Sequence, residues 1–166
     1  MSTAYVNCNV PYDTIMDEEI YNKDQDVERL VSKILKMNPL EIEADLKNIL
    51  NGYPNTYTFT KSLAEKSILK KRGTLPCCLL RPSMIGSSLK EPYVGWVDCV
   101  SALGGPIFFG GIGVYNYQVG YGAETIDLVA VDQCINHILV ATAYCSTKPE
   151  ELHIFNHTSS AVNPLK

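Results

Sequence analysis

The feature that most constrains the fold is a helical segment followed at once by a short, continuous apolar run. The helix is predicted to begin after Pro54-Asn55 and to end at Gly73. Leu75 to Arg81 is almost entirely apolar and is bounded by Gly73 and Pro82, which is typical of a parallel strand buried on both faces. Because a helix followed by such a strand is half of a β-α-β unit, the segment predicts an α/β fold with a parallel sheet.

Further helices and strands are predicted on both sides of this unit. Gln25 to Met37 has apolar residues at helical spacing. Asn38-Pro39 and Glu41 form the cap and capping box of a second helix that ends at Asn51-Gly52. Downstream, the pattern predicts a strand over Thr125 to Val131, a helix capped by Asp132 and ending near Tyr144, and a strand over Leu152 to Asn156. The residues expected to face inward on these helices include Leu40, Leu63, Ala64, Ile135, Ile138, Leu139 and Ala143.

The segment from Pro82 to Glu124 is rich in glycine and proline and is interpreted as a long loop, which at this length is usually functional or contains short elements. Within it, Val100 to Val114 is the most apolar window, but repeated glycines and Pro106 interrupt it. No run in the chain reaches the ~18–20 apolar residues of a membrane span, so we expect a loop or pocket wall here. The glycines from Gly104 to Gly113 do not match a dinucleotide-binding turn, because no strand is predicted before them and no helix after them.

Composition restricts the classes of function. A chain of 166 residues is about one domain, and its hydrophobic fraction of 46% and charged fraction of 19% are those of a globular protein. The formal net charge of -4 argues against nucleic-acid binding, which usually needs a basic face. The six cysteines show neither zinc-site spacing nor a disulfide framework, so we expect free thiols in a reducing, intracellular compartment and no metal site.

Tyr57 and Lys61 are the leading candidates for chemistry. They are four residues apart in the predicted helix, so their side chains leave the same face one turn apart. A phenol ordinarily titrates near pH ~10, and a neighbouring ammonium favours its ionised form. The pair therefore suits proton transfer to or from a carbonyl or hydroxyl oxygen, although the spacing is also common in helices without any catalytic role.

Several sequence blocks resemble an enzyme family. With the pair Tyr57 and Lys61, they are similar to the catalytic half of an extended short-chain dehydrogenase/reductase, and within that superfamily to the alcohol-forming fatty acyl-CoA reductases. The resemblance runs almost from end to end in the same order. The blocks that carry it are Ser2 to Asn7, Pro54 to Glu65, Arg81 to Gly86, Lys90 to Asp98 and Ile126 to Asp132.

The resemblance implies an activity and roles for individual residues. It implies reduction of a fatty acyl-CoA to the alcohol with NADPH as cofactor, in which Tyr57 protonates the developing alkoxide. Lys61 would assist Tyr57 and bind the nicotinamide ribose. Thr3, or as a second choice Ser2, would donate a hydrogen bond to the substrate oxygen. The backbone at Pro82 and Ser83 would lie against the nicotinamide.

The resemblance also implies a fold: a Rossmann-like doubly wound parallel sheet, present here as its C-terminal half over residues 1–166. The Gly-rich turn that holds a dinucleotide pyrophosphate is missing from the sequence, so we expect the chain to be an internal piece of a longer reductase. Complete members of the family are often membrane-associated, which implies the cytosolic face of the peroxisomal or endoplasmic reticulum membrane.

Three alternatives remain open at the level of sequence. The chain is compatible with another extended reductase such as a sugar-nucleotide epimerase, although the Lys90 to Asp98 block speaks against it. It is also compatible with a non-catalytic truncated remnant or with an interaction module, because the Tyr57 motif is present while the dinucleotide turn is not.

We predict that the 166-residue chain alone does not bind NADPH appreciably. A dinucleotide pyrophosphate is held by backbone amides behind a Gly-rich turn, and each charge-assisted hydrogen bond lost costs ~1.5–3 kcal/mol. The loss of two such bonds weakens binding roughly a hundredfold or more. Calorimetric titration of NADPH into the purified chain is the measurement, and micromolar affinity would contradict the prediction.

Overall fold

The computed structural model describes residues 1–11, 13–98, 100, 104–117 and 125–164. The chain divides into two compact units. The first contains residues 1–81 and 145–155, and the second contains residues 82–144 and 156–166. The residues outside these ranges include Cys99 and the end of the segment interpreted as a loop, from Gln118 to Glu124. That part of the prediction therefore lies outside the described residues.

The helices of the first unit lie where the sequence predicts them. They are α1 (Val27–Ile34), α2 (Pro39–Ala44), α3 (Leu46–Leu50) and α4 (Thr56–Lys71). The capping box of α2 is confirmed: the Asn38 side chain accepts the Glu41 amide at 3.0 Å, and the Glu41 carboxylate accepts the Asn38 amide at 2.8 Å. The single helix predicted after Asn38 is instead two helices, which meet at Asp45.

The core of the first unit forms where α1, α3 and α4 pack together. Its buried side chains are Val27, Ile49, Leu50, Phe59 and Leu63. Two inward predictions are wrong: Leu40 is 77% exposed, and Ala64 is exposed as well. The burial pattern of α4 includes charge, since Glu65 and Lys66 are 2% and 5% exposed. Apolar periodicity could not place this face, because a paired charge can occupy a core position.

The buried charge on α4 is held by an ion pair. The Arg81 guanidinium donates from Nε to Glu65 Oε1 at 2.9 Å and from Nη2 to Glu65 Oε2 at 2.6 Å. Nη2 also donates to the Glu19 carbonyl at 2.7 Å. Arg81 lies on β1 (Cys77–Pro82), the strand predicted after the helix. The pair therefore fixes α4 against β1, and the chain segment containing Glu19 joins the same network.

Within the described ranges, four strands form two two-stranded sheets. β1 pairs with β4 (Leu152–His157), while β2 (Met84–Gly86) pairs with β3 (Leu128–Ala130). The second pairing is parallel, with Met84 opposite Leu128 and Gly86 opposite Ala130. The prediction of an α/β fold with parallel strands is confirmed.

The second unit corrects the interpretation of Pro82 to Glu124 as a loop. β2 and the helix α5 (Gly104–Gly111) both lie within it. Pro106 falls in the first turn of α5, where no backbone donor is needed, so proline does not oppose a helix there. Glycine content alone therefore did not exclude a helix. Among the described residues, the nearest strand before α5 is β2, and the segment directly before the helix lies outside the described ranges.

The last helix, α6 (Val131–Thr147), is confirmed but is rotated relative to the prediction. Its buried residues are Cys134, Ala141 and Cys145, whereas Ile135 and Leu139 are 51% and 63% exposed. Apolar residues occur around most of this helix, so the periodicity could not select the buried face. Among the described residues, no helix is both long enough and apolar enough to cross a bilayer.

We predict that removing one partner of the Arg81–Glu65 pair strongly destabilises the fold. Arg81→Met leaves a buried, unpaired carboxylate and should lower the free energy of unfolding by ~3–5 kcal/mol in urea denaturation. The matched control is Glu28→Gln, which breaks the exposed Lys71–Glu28 pair and should cost less than ~1 kcal/mol. Adding Glu65→Leu to Arg81→Met should recover much of the loss, and equal effects of the two single variants would contradict the prediction.

Candidate active site

The first turns of α4 present Tyr57 and Lys61 on one face. The Asn55 side chain caps the helix by accepting the Thr58 amide at 2.9 Å, which sets where the first turn begins. The Lys61 ammonium lies 5.8 Å from the centre of the Tyr57 ring and donates to the Met1 carbonyl at 3.3 Å. Tyr57 is 53% exposed, so its phenol is accessible to a ligand.

The segment before Val6 places two hydroxyl groups in the first unit. Ser2 and Thr3 are 6% and 4% exposed, and the Ser2 amide donates to the Leu80 carbonyl at 2.7 Å. The Thr3 hydroxyl accepts the Tyr5 amide at 3.3 Å. The Ser2 hydroxyl is buried and has no hydrogen-bond partner in the described part of the chain.

Neither hydroxyl makes a hydrogen bond to the Tyr57 phenol among the described residues. The roles of Tyr57, Lys61, Thr3 and Ser2 therefore stay predictions. What the structure adds is that the four residues belong to one unit, and that the carbonyl held by Lys61 belongs to the residue immediately before Ser2.

The other predicted site residues, Pro82 and Ser83, begin the second unit. Pro82 ends β1, and the Ser83 amide donates to the His157 carbonyl at the end of β4 at 3.0 Å. Ser83 is 7% exposed, and its hydroxyl lies near Asp127 without reaching hydrogen-bond geometry. The backbone after Pro82 is therefore held in a defined position, as a segment against a ligand would need to be.

A histidine pair lies beside this segment. The Nδ1 atoms of His137 on α6 and His157 on β4 are 3.1 Å apart, and their ring centres are 4.8 Å apart. One of the two Nδ1 atoms must carry the hydrogen and the other must accept it. Burial, and then the nearby His137, lower the pKa of His157, while Asp127 partly opposes that shift.

Asp127 organises the chain after β4. Its carboxylate accepts the Ser159 amide at 2.8 Å, the Ser159 hydroxyl at 3.2 Å and both the amide and the hydroxyl of Ser160. Burial alone would raise the pKa of the Asp127 carboxyl, but these hydrogen bonds outweigh burial and lower it to about 2. Asp127 therefore stays ionised and holds the segment in place at neutral pH.

Asp132 does the same for the segment after Ser88. Its carboxylate accepts the amides of Leu89, Lys90 and Glu91 at 2.9, 2.8 and 3.2 Å, which lowers its pKa to about 2. The Asp132 side chain therefore binds the segment after Ser88 rather than acting as the predicted cap of α6. The position at a helix start was visible in the sequence, but an acceptor for amides about forty residues away was not.

Ser88 closes the same segment into a compact loop. The Ser88 amide donates to the Trp96 carbonyl at 3.0 Å, and the Ser88 carbonyl accepts the Gly95 amide at 2.9 Å. The Ser88 hydroxyl donates to the Tyr93 carbonyl. The block from Lys90 to Asp98 is thus preorganised by Ser88 and Asp132. Sequence reasoning noticed the block but missed both of the residues that hold it.

The described residues contain no cluster of three or more potential metal ligands. The first unit places an exposed tyrosine beside a lysine and contains two buried hydroxyl groups, which are the kinds of group that proton transfer to an oxygen needs.

Comparison with known proteins gives a consistent set of relatives. Residues 1–138 match a family of NAD-binding domains described as "Male sterility protein". The chain is 30% identical to fatty acyl-CoA reductase 1 of Xenopus laevis and of Gallus gallus, and 28% identical to fatty acyl-CoA reductase 2 of Bos taurus. Each alignment covers 99% of this chain but only 32% of the relative, so the chain spans about a third of the relatives' length.

We predict that acid destabilises the protein partly through His157. Because its folded pKa is lowered, the unfolded chain binds a proton more readily, so the stability contribution is fully present above ~6.5 and is lost as the pH falls towards the folded pKa. His157→Gln should therefore reduce the loss of unfolding free energy between pH 7.5 and 5, measured by urea denaturation. An unchanged difference between the two pH values would contradict the prediction.

Proposed function

We propose, because this chain belongs to the male sterility protein family of NAD-binding domains, that it forms the catalytic half of a fatty acyl-CoA reductase. The relatives that align with 99% of this chain are named fatty acyl-CoA reductases. The reaction is the NADPH-dependent reduction of a long-chain fatty acyl-CoA to the fatty alcohol, carried out as part of a longer enzyme. One hydride reduces the thioester to the aldehyde with release of coenzyme A, and a second hydride reduces the aldehyde to the alcohol.

The observation that carries the proposal is the arrangement of Tyr57 and Lys61. The ammonium lies over the ring of an exposed tyrosine at the start of a helix that the Arg81–Glu65 ion pair holds in position. Tyr57 is exposed rather than packed in the core, and Lys61 also donates to the Met1 carbonyl. The arrangement supports a proton donor that lies beside a cation.

In the proposed proton transfer, the Tyr57 hydroxyl donates its proton to the substrate oxygen as negative charge develops there. The Lys61 ammonium stabilises the phenolate that remains. Ser2 or Thr3 donates a second hydrogen bond to the same oxygen. The resemblance to the family favours Thr3, whereas the buried, unpartnered Ser2 hydroxyl supports Ser2.

The resemblance to the family gives the residues for the nicotinamide end of the cofactor. The structure supports the proposal in one respect, because the Ser83 amide donates to the His157 carbonyl and so holds the backbone after Pro82 in place. When bound, NADPH supplies the hydride, which is the chemistry of the cofactor rather than of the protein. Lys61 would hold the nicotinamide ribose, and Pro82 and Ser83 would lie against the ring. The pyrophosphate would be held by a Gly-rich turn outside this sequence.

The second unit offers an apolar surface for a long acyl chain. Ile107, Phe108, Phe109 and Ile112, on α5 and directly after it, are 64%, 50%, 44% and 57% exposed. They are therefore not buried in the core of the described chain, which was the alternative explanation for their apolar character. No charged residue occurs in the described segment 104–117, as a surface for a hydrocarbon chain requires.

We propose that the complete enzyme acts at the cytosolic face of the peroxisomal or endoplasmic reticulum membrane.

We predict that Tyr57→Phe, made in a longer form that carries the dinucleotide turn, lowers kcat/KM for acyl-CoA by ~10²–10⁴-fold. NADPH affinity should barely change, because the variant removes a proton donor and little contact area. Lys61→Met should lower both kcat/KM for acyl-CoA and the affinity for NADPH. Tyr53→Phe is the matched control: the Tyr53 hydroxyl donates to Ser62 at 2.7 Å away from the site, so activity should persist. A fully active Tyr57→Phe enzyme would place the proton donor elsewhere.

We also predict that the two hydroxyls are separable. Ser2→Ala should reduce kcat more than Thr3→Val does, because of these two hydroxyls only that of Ser2 lacks a partner within the described chain. Steady-state kinetics of the two variants, with unfolding temperatures as a check on stability, make the comparison. The opposite order would assign the substrate hydrogen bond to Thr3.

A further inference from the structure

The first unit contains a polar cavity that the proposed reaction does not use. Its volume is about 400 Å³, within the range of ~300–1,000 Å³ typical of small-molecule sites. It is lined by side chains from the segment around Asn22, from Asn51 and Tyr53, and from α4, where Phe59 and Lys66 contribute.

Lys66 is the unusual member of this lining. It is 5% exposed, and its ammonium donates to Gln25 Oε1 at 2.6 Å. An ammonium has three hydrogens to donate, and a neutral carboxamide does not balance its charge. No described carboxylate forms an ion pair with Lys66, since the adjacent Glu65 is engaged by Arg81. Burial lowers the pKa of Lys66, and Glu65 only partly opposes this.

The rest of the cavity complements a polar organic molecule. The amides of Asn9, Asn22 and Asn51 each offer both a donor and an acceptor. Tyr53 and Phe59 pack edge to face with their ring centres 5.7 Å apart and give the cavity an apolar wall. A buried cation, a ring of amides and an aromatic wall are the elements of a site for an organic anion.

We propose that this cavity binds a small organic oxyanion, with its carboxylate or phosphate group on Lys66 and its polar body against the asparagine amides. The oxyanion supplies the counter-charge that the buried ammonium lacks.

The site is separate from the candidate active site. Lys66 follows Tyr57 by nine residues on α4, which is about 14 Å along a helix, and Phe59, two residues after Tyr57, does not share its helix face. The proposal therefore stands whether or not the chain reduces acyl-CoA. The oxyanion has two possible sources, a free small metabolite or a phosphate group of coenzyme A.

Calorimetric titration of the purified chain at low ionic strength tests the proposal, with inorganic phosphate, citrate and coenzyme A as probes. At least one probe should bind with a stoichiometry of one, and Lys66→Met should weaken that binding about tenfold or more. Lys70→Met, an exposed lysine on the same helix, is the control and should bind as the unaltered chain does. Tighter binding of coenzyme A than of the two small anions would identify coenzyme A as the source, and the reverse order would identify a free metabolite.

A second variant tests the sign of the charge effect without altering the core. Asp24 is exposed and lines the cavity, so Asp24→Asn should strengthen oxyanion binding severalfold. Asp17→Asn, which removes an exposed carboxylate away from the cavity, should leave the affinity unchanged. The absence of binding by all three probes, equal binding to Lys66→Met, or an unchanged affinity in Asp24→Asn would overturn the proposal.

Discussion

The first unit depends on the buried ion pair between Arg81 and Glu65. The pair joins the middle of α4 to the end of β1 with two hydrogen bonds at 2.9 and 2.6 Å, and a third bond brings in the Glu19 carbonyl. Bidentate geometry defines both the distance and the angle between the partners. Because desolvating two charges is costly, the arrangement tolerates little displacement, and the position of α4 along the strand is set by it.

The position of Tyr57 follows from this constraint. Tyr57 and Lys61 lie two turns and one turn before Glu65 on the same helix, so what fixes Glu65 also fixes them. The Asn55 cap determines where the helix begins, and therefore which residue occupies its first exposed turn. A reactive side chain on a rigid helix is better oriented than one on a loop.

Carboxylates organise the second unit in a different way. Asp127 and Asp132 flank β3 and the start of α6, and each gathers amides or hydroxyls from a distant segment. Both pKa values are lowered to about 2, so these contacts persist over the neutral range. In the first unit a carboxylate is neutralised by a guanidinium, whereas in the second the counter-charge is spread over backbone dipoles. The buried Lys66 ammonium has no ion-pair partner among the described carboxylates and donates to the neutral Gln25 side chain. The proposed oxyanion site rests on this missing counter-charge.

The sequence by itself determined the α/β class, the capping box at Asn38 and Glu41, and the extent of the Tyr57 helix. These features depend on neighbouring residues, whose spacing is written directly in the chain. Only the tertiary structure decided which face of α6 is buried, that Gly104–Gly111 is helical, and that Glu65, Lys66 and Arg81 are core residues. Such outcomes depend on partners far apart in sequence, because a charge can be buried only where the fold supplies its complement.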